Sequence, residues 1–91
     1  MKLYAFTAVF TPEKGEPDVY TVTVPALPEI VTFGQSRQEA RFMAQDALET
    51  VVHSRLDENE SIPPDKRPST LSRGSFTEEK NAFIHLVQTS S

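Results

Sequence analysis

Apolar side chains recur in residues 3–10 (LYAFTAVF) with the two-residue period of an extended chain. Tyr4, Phe6, Ala8 and Phe10 fall on one face, and Leu3, Ala5, Thr7 and Val9 on the other. Both faces are largely apolar, which predicts a central strand covered on both sides. TPEKGEPD follows, with Pro12, Gly15 and Pro17, and reads as a hairpin loop. Residues 19–24 (VYTVTV) alternate cleanly, with Tyr20, Val22 and Val24 inward and Thr21 and Thr23 outward. Pro25 and Pro28 cannot join a ladder and force a turn. Residues 30–33 leave room for a short third strand before Gly34 releases the backbone.

The period then changes. Ser36 with Glu39 is a capping box, the serine capping a free amide while the glutamate reaches back. It predicts a helix from Arg37 to Asp57 with Ala40, Ala44, Ala47, Leu48 and Val51 on one stripe. The small alanines allow that helix to sit close to a sheet. Residues 59–80 hold three prolines and many polar residues and read as one long loop. The last apolar segment, AFIHLVQ at 82–88, reads as a fourth strand. No internal repeat is present.

Assembled, the order is β-β-β-α-β, an α+β fold. A meander of three strands followed by a helix crossing back over the sheet puts the fourth strand beside the first, in the order 3-2-1-4. One helix covers one face of that sheet. The other face, carrying either the Tyr4/Phe6/Phe10 or the Leu3/Val9 set, is left for a partner or a second subunit. The expectation is a homo-oligomer, dimer or larger, burying this face or a sheet edge.

A chain of 91 residues has material for a single domain spanning 1–91. The net charge of −4 disfavours direct binding of nucleic acid, whose partners usually carry a basic excess, and suits a basic protein partner. With no cysteine, a disulfide framework and a thiolate metal site are excluded and a cytoplasmic location fits. The opening MKLYAFTAVF lacks a small-residue cleavage site and reads as a strand rather than a signal peptide. No segment approaches the roughly 20 apolar residues of a membrane span.

Candidate chemistry is sparse. His53 and His85 lie in different elements without metal-ligand spacing, and no serine sits in a nucleophile elbow. Gly34-Gln35-Ser36 reads as a turn and helix cap rather than a phosphate cradle. A two-metal hydrolase needs acids projecting from the sheet, whereas here they concentrate on the helix and in residues 57–60. The reading is therefore a protein that is not an enzyme and needs no metal or cofactor. One feature stands out on the helix: Phe42 points roughly 160° from the Ala40/Ala44/Leu48/Val51 stripe. It lies near Asp46, Glu49 and His53. Phe42, Asp46, Glu49 and His53 form the candidate partner-binding set, the alternative for Phe42 being burial beneath the long loop.

The run VPALPEIVTFGQSRQEARFMAQDALETVV resembles the HicB antitoxin family, in which a hairpin ending in V-P-x-L-P-G leads through x-T-x-G into a capped helix. The matching positions are Val24, Pro25, Leu27, Pro28, Thr32, Gly34, Ser36, Glu39, Ala40, Ala47 and Leu48, and residues 62–64 (IPP) look like that family's proline exit. Glu29 departs from the family's glycine and Arg41 from an often apolar position. Residues 69–91 are too short for the DNA-binding segment that many members carry. The resemblance implies a partial ribonuclease-H-like fold without catalytic residues. It implies an antitoxin that binds and occludes a small basic HicA-type mRNA-cleaving toxin. The alternative is a stand-alone, self-assembling HicB-like domain with no toxin.

Overall fold

In a computed structural model the described residues are 2–84. They form β1 (Lys2–Glu13), β2 (Glu16–Thr23), β3 (Val31–Gly34), α1 (Arg37–Asp57) and β4 (Phe76–Ile84). The strands make one antiparallel sheet in the order β3-β2-β1-β4, with the helix on one face. This is the expected α+β arrangement.

The first hairpin is tighter than TPEKGEPD suggested. β1 and β2 extend to a Lys14–Gly15 turn, because Gly15 takes up the left-handed conformation at φ 82. Pro12 is tolerated inside β1 because β4 pairs only as far as Phe10, so β1 is already an edge there. At the other end of β2 the prolines build two linked turns. Leu27 N–H donates to Val24 C=O and Ile30 N–H to Leu27 C=O, both at 2.9 Å. Pro25 and Pro28 each take the second position, where their fixed φ is preformed. Leu27, shared by both turns, is fully buried.

β4 differs most from expectation. It starts at Phe76, within the stretch read as loop, and pairs with β1 from Phe10↔Phe76 to Lys2↔Ile84. Its first half carries no apolar alternation, because the helix-facing positions are Glu78 and Lys80. These are satisfied by charge: Glu78 lies 2.6 Å from Arg41 of the helix and 3.2 Å from Lys80. The rest of the expected strand, including His85, lies outside the described residues.

The helix spans Arg37–Asp57, as the cap predicts. Ser36 Oγ accepts from Glu39 N–H at 3.0 Å, and the Glu39 carboxylate accepts from Gln35 N–H at 2.8 Å, one residue earlier than the simplest capping box. The buried ladder is Ala40, Ala44, Leu48 and Val52, with Ala47 and Val51 only partly covered. Four-residue spacing ending on Val52 replaces the expected stripe that took in Ala47 and Val51. Across from it lie Phe6, Ala8, Phe10, Tyr20, Val22, Val24, Leu27, Ile30 and Ala82. Each fully buried large side chain stabilises the fold by roughly 1.5–3 kcal/mol.

Gly34 fixes how close the helix begins. A Cβ there would stand 2.3 Å from Ala40 N and 2.6 Å from Ala40 Cα. The residue serves close approach of backbone to backbone rather than the release of a turn.

The second face of the sheet is partly covered by the chain itself. Residues 58–75 form a strap tied down at Asp65, whose carboxylate accepts from Thr7 N–H (2.8 Å) and the Thr7 hydroxyl (2.7 Å). The strap ends at Ser75, whose hydroxyl donates to Thr11 Oγ1 at 3.3 Å. Thr7 and Val9, between these ties, are buried, so of the two candidate sets Tyr4/Phe6/Phe10 belongs to the helix side. The open side is the Leu3 side, with Val9 removed from it.

Candidate partner-binding surface

Because α1 turns one narrow stripe to the sheet, the rest of its surface is available. Phe42, Asp46, Glu49 and His53 follow one another at intervals of four, three and four residues, which lines them up along one face. All four are exposed, Phe42 at 67%. The structure therefore brings the expected set together and leaves Phe42 clear of the strap. Glu49 and His53 also line a shallow cleft with Thr50, Ser54, Asp57 and Glu58.

The electrostatics of that face follow from where the helix sends its bases. Arg37 lies over the Phe76 ring, 4.7 Å from its centroid, and donates to the Tyr20 hydroxyl at 3.0 Å. Arg41 grips Glu78 through Nε at 2.8 and 3.0 Å. Arg55 makes a bidentate pair with Glu29, Nε at 2.8 Å and an outer nitrogen at 2.9 Å. All three arginines of the helix are thus drawn toward the sheet and the proline turns. What remains outward is Asp46, Glu49 and Asp57 with His53 among them.

Both departures from the family pattern are explained by these pairs. The Arg55 hydrogen bonds hold the Glu29 carboxyl below its ordinary range, and the Arg41 hydrogen bonds do the same for Glu78. Among the described residues positive φ occurs at Gly15, Asn59 and Gly74 only, so Glu29 occupies its turn without backbone strain. The charged pairs were legible only as lone charges, since their partners are 26 and 37 residues away in sequence.

A second exposed feature lies on the open sheet face. Val31 and Phe33 of β3 are 68% and 58% exposed, while Gly34, of opposite parity, is buried. Sequence reading assigned no facing to this short strand; the parity of Gly34 beneath the helix start is the signal that does. Among the described residues no group of three or more His, Asp or Glu side chains is placed to hold a metal ion. Among the described residues no helix is long and apolar enough to cross a membrane.

A family model describing the HicB-like antitoxin of bacterial toxin–antitoxin systems matches residues 5–86. The chain belongs to this family. Antitoxin HicB 1 of Photorhabdus laumondii is 43% identical over 53 residues, a match covering 58% of this chain and 34% of that protein. A UPF0150 protein of Thermoplasma acidophilum is 37% identical over 60 residues, covering 66% of this chain and 84% of its own length. Among solved structures, a chain of a toxin–antitoxin complex from Streptococcus pneumoniae superposes with a TM-score of 0.74 at 16% identity. That superposition covers 90% of this chain and 70% of that one. The N-terminal domain of the Burkholderia pseudomallei antitoxin HicB gives 0.63 at 20% identity, covering 91% and 100%. The HicB-like match spans the strands and the helix alike, and the fold is that of the antitoxin's N-terminal domain.

Proposed function

We propose that this HicB-like antitoxin binds and occludes a small basic toxin of the HicA type, without catalysis or nucleic-acid binding of its own. The observation that carries the reading is the outward face of α1, an exposed Phe42 beside Asp46, Glu49 and Asp57 with the helix arginines engaged elsewhere. An aromatic anchor in an acidic surround is the complement of a basic surface with an apolar pocket. The likeness to a chain of a toxin–antitoxin complex supports a protein partner.

The test is a search of the adjacent reading frames for a small basic protein, co-purification with it, and an RNA-cleavage assay of that protein. Suppression of cleavage by equimolar HicB-like chain is the expected result. Undiminished cleavage with no complex would reject the toxin reading. The second reading, a self-assembling domain without a toxin, has the apolar Val31/Phe33 patch in its favour and predicts that failure.

A further inference from the structure

β4 is an edge strand, paired with β1 on one side only. Two observations fix which of its backbone groups face away from β1. Thr7 N–H turns from β4 to the Asp65 carboxylate, so Thr7 and Glu79 are opposed without exchanging hydrogen bonds across the ladder. Asn81, of the same parity and opposite Ala5, accepts at its backbone C=O from the Gln45 side chain at 2.6 Å. Thr77, Glu79 and Asn81 therefore present their N–H and C=O groups at the free edge. Among the described residues only the Asn81 carbonyl has a partner there. A nine-residue edge is a template for one more strand, and Gln45 occupies a single position on it.

The same strand borders a cleft of about 280 Å³, lined by Arg67, Pro68 and Leu71 of the strap and by Thr7, Thr77 and Glu79 of the sheet. It has room for one long side chain. Glu79 is exposed and, among the described residues, without an ion pair, whereas Glu78 is held by Arg41 and Lys80. Resting on the toxin reading for the partner, we infer that this edge takes an extended segment of the basic toxin as a fifth strand. A main-chain N–H of that segment replaces the Gln45 amide at Asn81 C=O. A Lys or Arg side chain enters the cleft, its stem against Pro68 and Leu71 and its charge at Glu79. Charge selects this occupant. A second copy brings another net −4 to an unpaired carboxylate, whereas a basic segment brings the opposite sign. Gln45 stands three residues from Phe42 on the helix, so the edge continues the exposed helix face.

The test is amide hydrogen exchange of the wild-type chain with and without the small basic protein of the adjacent reading frame, beside binding kinetics of Glu79→Pro and Glu79→Gln. Proline removes the outward N–H and spares the β1 ladder, to which position 79 gives no bond. Glutamine removes the charge and keeps the N–H. Slowed exchange at Thr77 and Glu79 in the complex is expected, with slower association of the Glu79→Gln chain. The Glu79→Pro chain should bind roughly tenfold more weakly than Glu79→Gln, the loss of one main-chain hydrogen bond. Unchanged exchange at both amides, or equal affinity of two folded variants, overturns the inference and leaves the toxin reading in place. Absence of any complex overturns both. The exchange measurement needs no variant, so it decides whether or not Glu79→Pro folds.

Discussion

Gly34 shows how a single residue can be placed by a distance rather than by a torsion. An alanine there meets the Ala40 backbone at 2.3 Å, and a helix start cannot yield as a flexible side chain would. Gly34→Ala should cost about 3 kcal/mol, the upper part of the overpacking range. Gly15→Ala is the comparison: φ is 82 but nothing stands within 4 Å of the new methyl, so only left-handed strain remains, about 1 kcal/mol. Thermal melts of the two variants check the ranking, and a larger loss at Gly15 would contradict it. The glycine itself was legible in the sequence as punctuation before a helix. Its reason was not, because the clash involves a residue that becomes a neighbour only once the helix forms. Glu29 and Arg41 were legible only as departures, for the same cause. Each finds its partner across the fold.

At the scale of elements, α1 was readable because three local signals agree: the cap, the apolar spacing and the absence of proline. Ser36→Ala should cost about 1 kcal/mol by removing the cap, and Leu48→Ala about 2–5 kcal/mol by emptying a fully buried site. Urea midpoints give both. β4 and the strap were misdivided because Glu78 and Lys80 supply pairing where the eye looks for apolar residues. The strap and the two arginine clamps have a common acid signature. Glu29 and Glu78 titrate below their ordinary range, chiefly through Arg55 and Arg41 respectively. Desolvation opposes the charged form of Asp65, but bonds from Thr7 and Lys66 and the nearby Arg67 outweigh it, so its carboxyl is lowered too. A depressed folded pKa means stability that is fully present above the ordinary carboxylate range and lost as pH falls from that range through the lowered folded pKa. Unfolding midpoints should therefore drop as pH falls below about 5. Asp65→Ala should flatten part of that drop and speed hydrogen exchange at Thr7 N–H. An unchanged exchange rate there would mean that the strap is held elsewhere.

Over the whole molecule, the order 3-2-1-4 and the acidic balance were both legible in the sequence, because period and charge are global properties of the chain. The side of the sheet left open was not, since it depends on where an irregular strap crosses. The HicB-like chain divides its surface accordingly, with an acidic helix outward on one side and a neutral apolar patch on the other. The most direct test of the central claim is binding kinetics of the HicB-like chain against the proposed basic toxin. Phe42→Ala should speed dissociation by tenfold or more, as expected for an anchor contributing about 2 kcal/mol. Asp46→Asn/Glu49→Gln should slow association and weaken its salt dependence, because exposed charges steer encounter. Melting temperatures should stay within a few degrees, since all three side chains point outward. A Phe42→Ala chain that binds with an unchanged off-rate would contradict the account and move the partner to the sheet face.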